Sequence, residues 1–120
     1  MKKILHIDDD KNFIDLIRLL LLGKPYQVIG ETQGANTMRR VLEHKPDIIL
    51  LDMMIPDKSG YEILEQLKQN PETREIPVIA LSVSSERERS LQAGATVHIT
   101  KPMKEDRLIK IIDELTVTAQ

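Results

Sequence analysis

The chain has 120 residues, enough for one domain with one apolar core, and its 17 basic and 19 acidic side chains leave a net charge of −2. That near-balance gives no basic footprint for nucleic acid or an anionic membrane, so neither is an expected partner. Cysteine is absent, which excludes disulfides and thiolate chemistry, and one Phe with two Tyr offers little for stacking on bases or a flavin.

The first residues reach Asp8, Asp9 and Asp10 after too few apolar side chains for a signal-peptide core. No later run approaches the ~20 apolar residues of a membrane span, and a soluble cytoplasmic protein is expected. Residues 4–7 (Ile-Leu-His-Ile) read as a first strand. Asp10 is placed to cap a helix in which Phe13, Leu16, Ile17 and Leu20 recur at i, i+3, i+4 and i+7, and Gly23 ends it. Val28 and Ile29 mark a second strand. Met38, Val41 and Leu42 mark a second helix that closes at His44, whose partial positive charge suits the helix dipole.

Residues 48–51 form a third strand without polar alternation, as a parallel sheet covered on both faces requires. Ser59 and Glu62 have capping-box spacing ahead of Ile63, Leu64 and Leu67, and Asn70-Pro71 stops that third helix. Residues 78–81 give a fourth strand. The next helix, residues 84–92, opens with the capping-box spacing of Ser85 and Glu88 and has Leu91 as its one large apolar residue. It can bury little and should dock weakly, which suits an element that moves. After Gly94, residues 97–99 form a fifth strand. Leu108, Ile111, Ile112 and Leu115 stripe a fifth helix, and residues 116–120 follow just past it. Repeated βα units with right-handed crossovers predict one α/β domain over 1–120: a doubly wound, five-stranded parallel sheet with helices on both faces.

In such a sheet the carboxyl ends of the strands form the binding edge, at the point where strand order reverses. Those ends carry Asp8-Asp9, Asp52, Ser82 and Thr100-Lys101-Pro102. With the order 2-1-3-4-5, strands one and three are neighbours at the reversal, so Asp8, Asp9 and Asp52 converge with Ser82 and Lys101 opposite. Three adjacent carboxylates repel unless a cation joins them, and Mg2+ (or Mn2+) suits an oxygen donor set that also takes phosphate. A carboxylate can act as nucleophile toward phosphorus. Asp52 is the better candidate, because its neighbours can hold the metal while Lys101 and Ser82 meet the phosphoryl oxygens.

Four motifs in order resemble the receiver domains of two-component response regulators over essentially the whole chain. They are Ile-Leu-His-Ile-Asp8-Asp9-Asp10, Leu-Leu-Asp52-Met-Met54-Ile-Pro56-Asp-Lys-Ser-Gly60, Pro77-Val-Ile-Ala-Leu-Ser82 and Gly94-Ala-Thr-Val-His98-Ile-Thr-Lys101-Pro102. The resemblance implies a flavodoxin-like (βα)5 fold. It implies a phosphorylation-dependent switch in which Asp52 accepts a phosphoryl group from a histidine kinase or phosphotransfer protein. Asp9, Asp52 and the main-chain carbonyl of Met54 would bind Mg2+, with Asp8 acting through water. Lys101 would pair with the phosphoryl oxygens and precede a cis bond to Pro102, while Pro56 and Gly60 would shape the loop after Asp52. Ser82 and His98 would carry the signal to the face of the fourth helix, fifth strand and fifth helix, where a downstream effector or output domain reads it. Catalysis would be limited to the chain's own phosphoryl acceptance and loss.

Plainer readings stand beside these. A histidine on a short strand, such as His98, is more often simply packed, and His6 reads as a core-margin residue rather than a ligand. The Met53 and Met54 side chains read as packing or rim residues. Val83 departs from the small residue usual after Ser82 in the resembled family, and its branched side chain would narrow access to Asp52. The mixed charges of residues 86–89 could support a homodimer on phosphorylation. An alternative of another class, a Mg-dependent phosphatase with an Asp nucleophile, calls for a second Asp two residues on, where this chain has Met54. A flavin or nucleotide carrier needs a Gly-rich phosphate cradle after the first strand, where this chain has Asp-Asp-Asp. A receiver piece of a larger DNA-binding regulator or hybrid kinase keeps the fold; Met1 directly before the first strand favours a stand-alone protein.

Overall fold

Strands with no polar alternation need apolar cover on both faces, and here they receive it. The computed structural model describes residues 1–118. In chain order it comprises β1 (Lys2–Ile7), α1 (Lys11–Leu20), β2 (Tyr26–Glu31), α2 (Thr37–His44), β3 (Ile48–Asp52), α3 (Gly60–Gln69), β4 (Val78–Ser82), α4 (Arg87–Ala93), β5 (Val97–Thr100) and α5 (Glu105–Thr118). The five strands are parallel in the order β2-β1-β3-β4-β5, the doubly wound flavodoxin-like sheet expected. The loop from β3 to α3 adds a two-residue antiparallel ladder, Met54–Ile55 with Lys58–Ser59, turned at Pro56 and Asp57.

The two-residue period of the strands sorts their side chains into two cores. Leu5, Ile7, Ile49, Leu51, Val78 and Ala80 pack with Val41, Ile63, Leu64 and Leu67 of α2 and α3. Ile4, Ile48, Leu50, Ile79, Leu81 and Ile99 pack with Ile17, Leu108 and Ile112 of α1 and α5. No helix among the described residues is long and apolar enough to cross a membrane.

Four local expectations change. The inward face of α1 is Ile14 and Ile17, followed by Leu21, whereas Leu16 and Leu20 stay 37% exposed; the apolar arc is wider than the stripe read from spacing. β2 extends two residues beyond Val28 and Ile29 at each end, because an edge strand buried on one side keeps polar positions that conceal its length. α4 begins at Arg87 behind Glu86, and Ser85 makes no capping bond, so the Ser85–Glu88 box does not form. α5 runs on through Thr118 because Thr116 is buried, its hydroxyl bonded to the Ile112 carbonyl at 2.8 Å; Ala119 and Gln120 lie outside the described residues. The Ser59 cap does form, but on the Tyr61 amide at 3.3 Å.

Gly60 opens α3 where two backbones nearly touch. Its amide donates to the Met53 carbonyl, and a Cβ added there would lie 2.5 Å from the Met53 Cα. Gly60→Ala should therefore cost about 1–3 kcal/mol of stability, the usual penalty for overpacking, measured as a lower urea midpoint with an unchanged slope.

Candidate functional site

The carboxyl edge of the sheet collects the reactive side chains because register fixes where each strand stops. The Asp8 amide donates to the Glu31 carbonyl of β2, the Met53 amide to the Leu81 carbonyl of β4, and the Lys101 amide to the Ser82 carbonyl. Asp8, Asp9 and Asp52 thereby offer carboxylate oxygens all within 4.8 Å of one another. Asp8 and Asp52 are buried and Asp9 is exposed, so the cluster has one open side. Lys101 enters from the end of β5, its Nζ 3.6 Å from Asp8 Oδ2 and 3.7 Å from Asp52 Oδ2. The same ammonium lies 5.2 Å from the centre of the Phe13 ring. The Lys101–Pro102 peptide bond is cis.

The two buried carboxylates differ electrostatically. Burial raises both, but at Asp8 the contact with His6, the Asp10 amide at 2.9 Å and Lys101 outweigh it, and the carboxyl sits below its ordinary value. At Asp52 burial prevails over the Met54 amide (3.0 Å) and Lys101, Asp8 and Asp9 add repulsion, and the carboxyl sits above its ordinary value. Asp52 is thus the group an added cation would relieve most. Asp8 Oδ2 is buried without a hydrogen bond, an oxygen that a hydrated cation can use. The donor set therefore fits a hard divalent ion.

Asp10 stands apart as the cap of α1, accepting from the Asn12 amide at 3.0 Å. The Met53 side chain is buried in the core, that of Met54 is 60% exposed, and Pro56 is exposed at the turn. Val83 is 66% exposed and lines a groove of about 470 Å3 with Phe13, Leu16, Lys101, Met103 and Leu108. Ser82 is buried, its Oγ accepting from the Ser84 amide at 3.0 Å. His98 is buried too, against α4: Nδ1 lies 2.8 Å from Ser90 Oγ and Nε2 lies 3.2 Å from the Ser84 carbonyl. A hydrogen-bonded path thus runs from Ser82 through Ser84 and His98 to Ser90.

Three features escape a linear reading. Asp57 accepts from the Gly34 and Ala35 amides, each at 2.9 Å, and so ties the loop after Asp52 to the loop after β2. Tyr61 donates to Glu86 at 2.8 Å while Arg89 pairs with Glu86 and covers the Tyr61 ring at 3.8 Å, so Glu86 and Arg89 are engaged within the chain. His6 is fully buried rather than at the core margin. A histidine among the aliphatic residues 4–7 is the one signal of these visible in the sequence.

Residues 4–113 match the model of the response regulator receiver domain. The chain belongs to the response regulator receiver domain family. It is 33% identical over 114 residues to the polar-differentiation response regulator DivK of Brucella anthropi, covering 92% of this chain and 93% of that protein. Among solved structures, the receiver domain of the Francisella response regulator 1452 aligns at 26% identity with a TM-score of 0.91, over all of both chains. The receiver domain of a Syntrophus aciditrophicus signal transduction histidine kinase aligns at 30% and 0.89, covering 98% of this receiver chain and 92% of its own.

The raised Asp52 carboxyl makes a signed prediction. Below the unfolded value both states hold the proton and Asp52 costs nothing; as pH rises through the raised folded value, the folded state loses stability. Without metal, Asp52→Asn should therefore melt above the native chain at pH 7, with the gain gone near pH 3. An equal difference at both pH values would show that charge is not its source.

Proposed function

We propose that the chain, as one receiver domain over residues 1–120, is a phosphorylation-dependent switch in which Asp52 accepts a phosphoryl group. The observation that carries this reading is the convergence of Asp8, Asp9, Asp52 and Lys101 at one sheet edge, with Asp8 Oδ2 lacking a hydrogen bond. Asp9, Asp52 and the Met54 carbonyl hold Mg2+ (or Mn2+), with Asp8 acting through water. When bound, the cation neutralises the carboxylates and draws charge from the phosphoryl oxygens.

The donor is a phosphohistidine on a kinase or phosphotransfer protein. An Asp52 oxygen bonds to phosphorus, the P–N bond breaks, and its electron pair returns to the donor imidazole, which takes a proton from solvent. Lys101 leaves its two carboxylates for a phosphoryl oxygen, and Ser82 turns its hydroxyl toward another. The apolar groove lined by Phe13, Leu16, Met103 and Leu108 beside Lys101 suits a helix that carries the donor histidine. Water later attacks the same phosphorus, the bond to the Asp52 oxygen breaks and inorganic phosphate leaves, so the catalysis is limited to the chain's own phosphorylation and its reversal.

Turning Ser82 releases the Ser84 amide, and Ser84 and Ser90 both contact His98. The signal accordingly reaches the face formed by α4, β5 and α5, where an effector or output domain binds. The reading is cytoplasmic, with a kinase and an effector as partners. Self-association after phosphorylation would use the Arg87 and Glu88 side of α4, since Glu86 and Arg89 already face Tyr61.

Incubation with Mg2+ and acetyl phosphate should add one phosphoryl group to the intact mass, with no addition in Asp52→Asn or with chelator. No adduct in the native chain, with a slowly hydrolysing mimic also failing to bind, would overturn the proposal. Val83→Ala should gain and lose the phosphoryl group several-fold faster, since it opens the approach to phosphorus; two unchanged rates would remove the steric role of Val83.

A further inference from the structure

His6 occupies a place where chemistry for stability alone would put an aliphatic side chain. It is fully buried on β1, opposite Gly30 and Leu50 in the adjacent strands, on the face that packs Ile4, Ile48 and Leu50 against α1 and α5. The Phe13 ring meets it edge-on at 5.4 Å. Neither ring nitrogen has a hydrogen bond, and burying polar atoms in that state costs folding free energy. Among the described residues the charged group paired with it is Asp8, whose Oδ2 lies 3.5 Å from His6 Nε2.

That oxygen has two cationic or polar neighbours of different character. Lys101 lies 3.6 Å away on a flexible stem and is shared with Asp52. His6 is enclosed by the core, and among the described residues neither of its ring nitrogens has a hydrogen bond. Asp8 Oδ1 is already taken by the Asp10 amide. When Lys101 turns to a phosphoryl oxygen, His6 is the contact left on Asp8 Oδ2. At 3.5 Å the pair is longer than a good hydrogen bond, and an approach of about half an ångström brings it into range.

We propose that His6 is a positioning residue for the cation site, donating its Nε2–H to Asp8 Oδ2 so that the carboxylate keeps its orientation toward the cation, with or without Lys101 beside it. The inference rests on the cation reading given under the proposed function. It follows the general logic by which partners behind the ligands orient them and set metal affinity. It also explains why an unsatisfied imidazole stands in an aliphatic strand: the group lowers stability and serves the site.

Opposite effects on stability and on binding make the test. Calorimetric Mg2+ titration of the full-length unphosphorylated chain should give a dissociation constant about tenfold weaker in His6→Val, the low end for loss of such a partner. The same variant in chelator should melt above the native chain, because the buried unpartnered nitrogens are gone. His6→Gln, which keeps a donor near Nε2, should recover most of the affinity. In the native chain, long-range 1H–15N spectra should show His6 with its proton on Nε2 and that resonance shifting as Mg2+ is added. Affinity unchanged in His6→Val overturns the inference alone, as does a proton on Nδ1 or joint loss of stability and affinity without rescue by Gln. A native chain that binds no Mg2+ overturns the cation reading and this inference with it.

Discussion

Asp8, Asp9 and Asp52 are held with oxygens within 4.8 Å of one another, and the remainder of the fold has to sustain that repulsion. Two carboxylates so spaced repel by roughly 3 kcal/mol at an effective dielectric near 20, less where one is exposed as Asp9 is. Against this stand seven completely buried aliphatic side chains of β1 and β3: Ile4, Leu5, Ile7, Ile48, Ile49, Leu50 and Leu51. At about 1.5–3 kcal/mol each, their burial exceeds the repulsion several-fold even after a discount for residual burial in the unfolded chain. The strand ends are therefore fixed by the core, and the charges have to accept the positions given to them. Lys101 relieves part of the strain by reaching both buried carboxylates, and it is the part that can be withdrawn. A site built in this way gains most from whatever supplies positive charge, as the proposed divalent cation would.

The features legible in the sequence are those with a local physical signature. Short aliphatic runs, broken only by His6 in β1 and His98 in β5, declare four of the strands, and residues following those runs declare Asp8, Asp9, Asp52, Ser82 and Lys101 once strand order is known. β2 was read short because it lies at the edge. Its Gly30 is required by Ile14, whose Cγ2 would sit 2.7 Å from an added Cβ, a contact that no local pattern signals. The start of α4 differs from its sequence spacing for a related reason. Ser85 and Glu88 have the spacing of a capping box, but Glu86 is drawn to Tyr61 and Arg89, and the helix begins after it. Asp57 looks like an ordinary turn residue until the Gly34 and Ala35 amides arrive from 23 and 22 residues away. In each case the missing information was a partner distant in the chain.

The polar character of α4 then finds its place in the energetics. α3 buries Ile63, Leu64 and Leu67, whereas α4 fully buries just Ser90 and leaves Leu91 and Ala93 half-covered. What holds α4 is largely polar: His98 on Ser90, and the Tyr61–Glu86–Arg89 group at its first turn. The exposed pairs contribute about 0–1 kcal/mol each and the buried Ser90–His98 bond about 1 kcal/mol, so the helix can be displaced at low cost. It is also joined to Ser82 by four residues, two of which, Ser84 and Glu86, make the contacts that hold it. In the proposed switch, a small movement of Ser82 would act on weak, directional bonds instead of on a packed core. A better-buried α4 would make a more stable domain, but one in which the same movement at Ser82 would have to displace a packed apolar face.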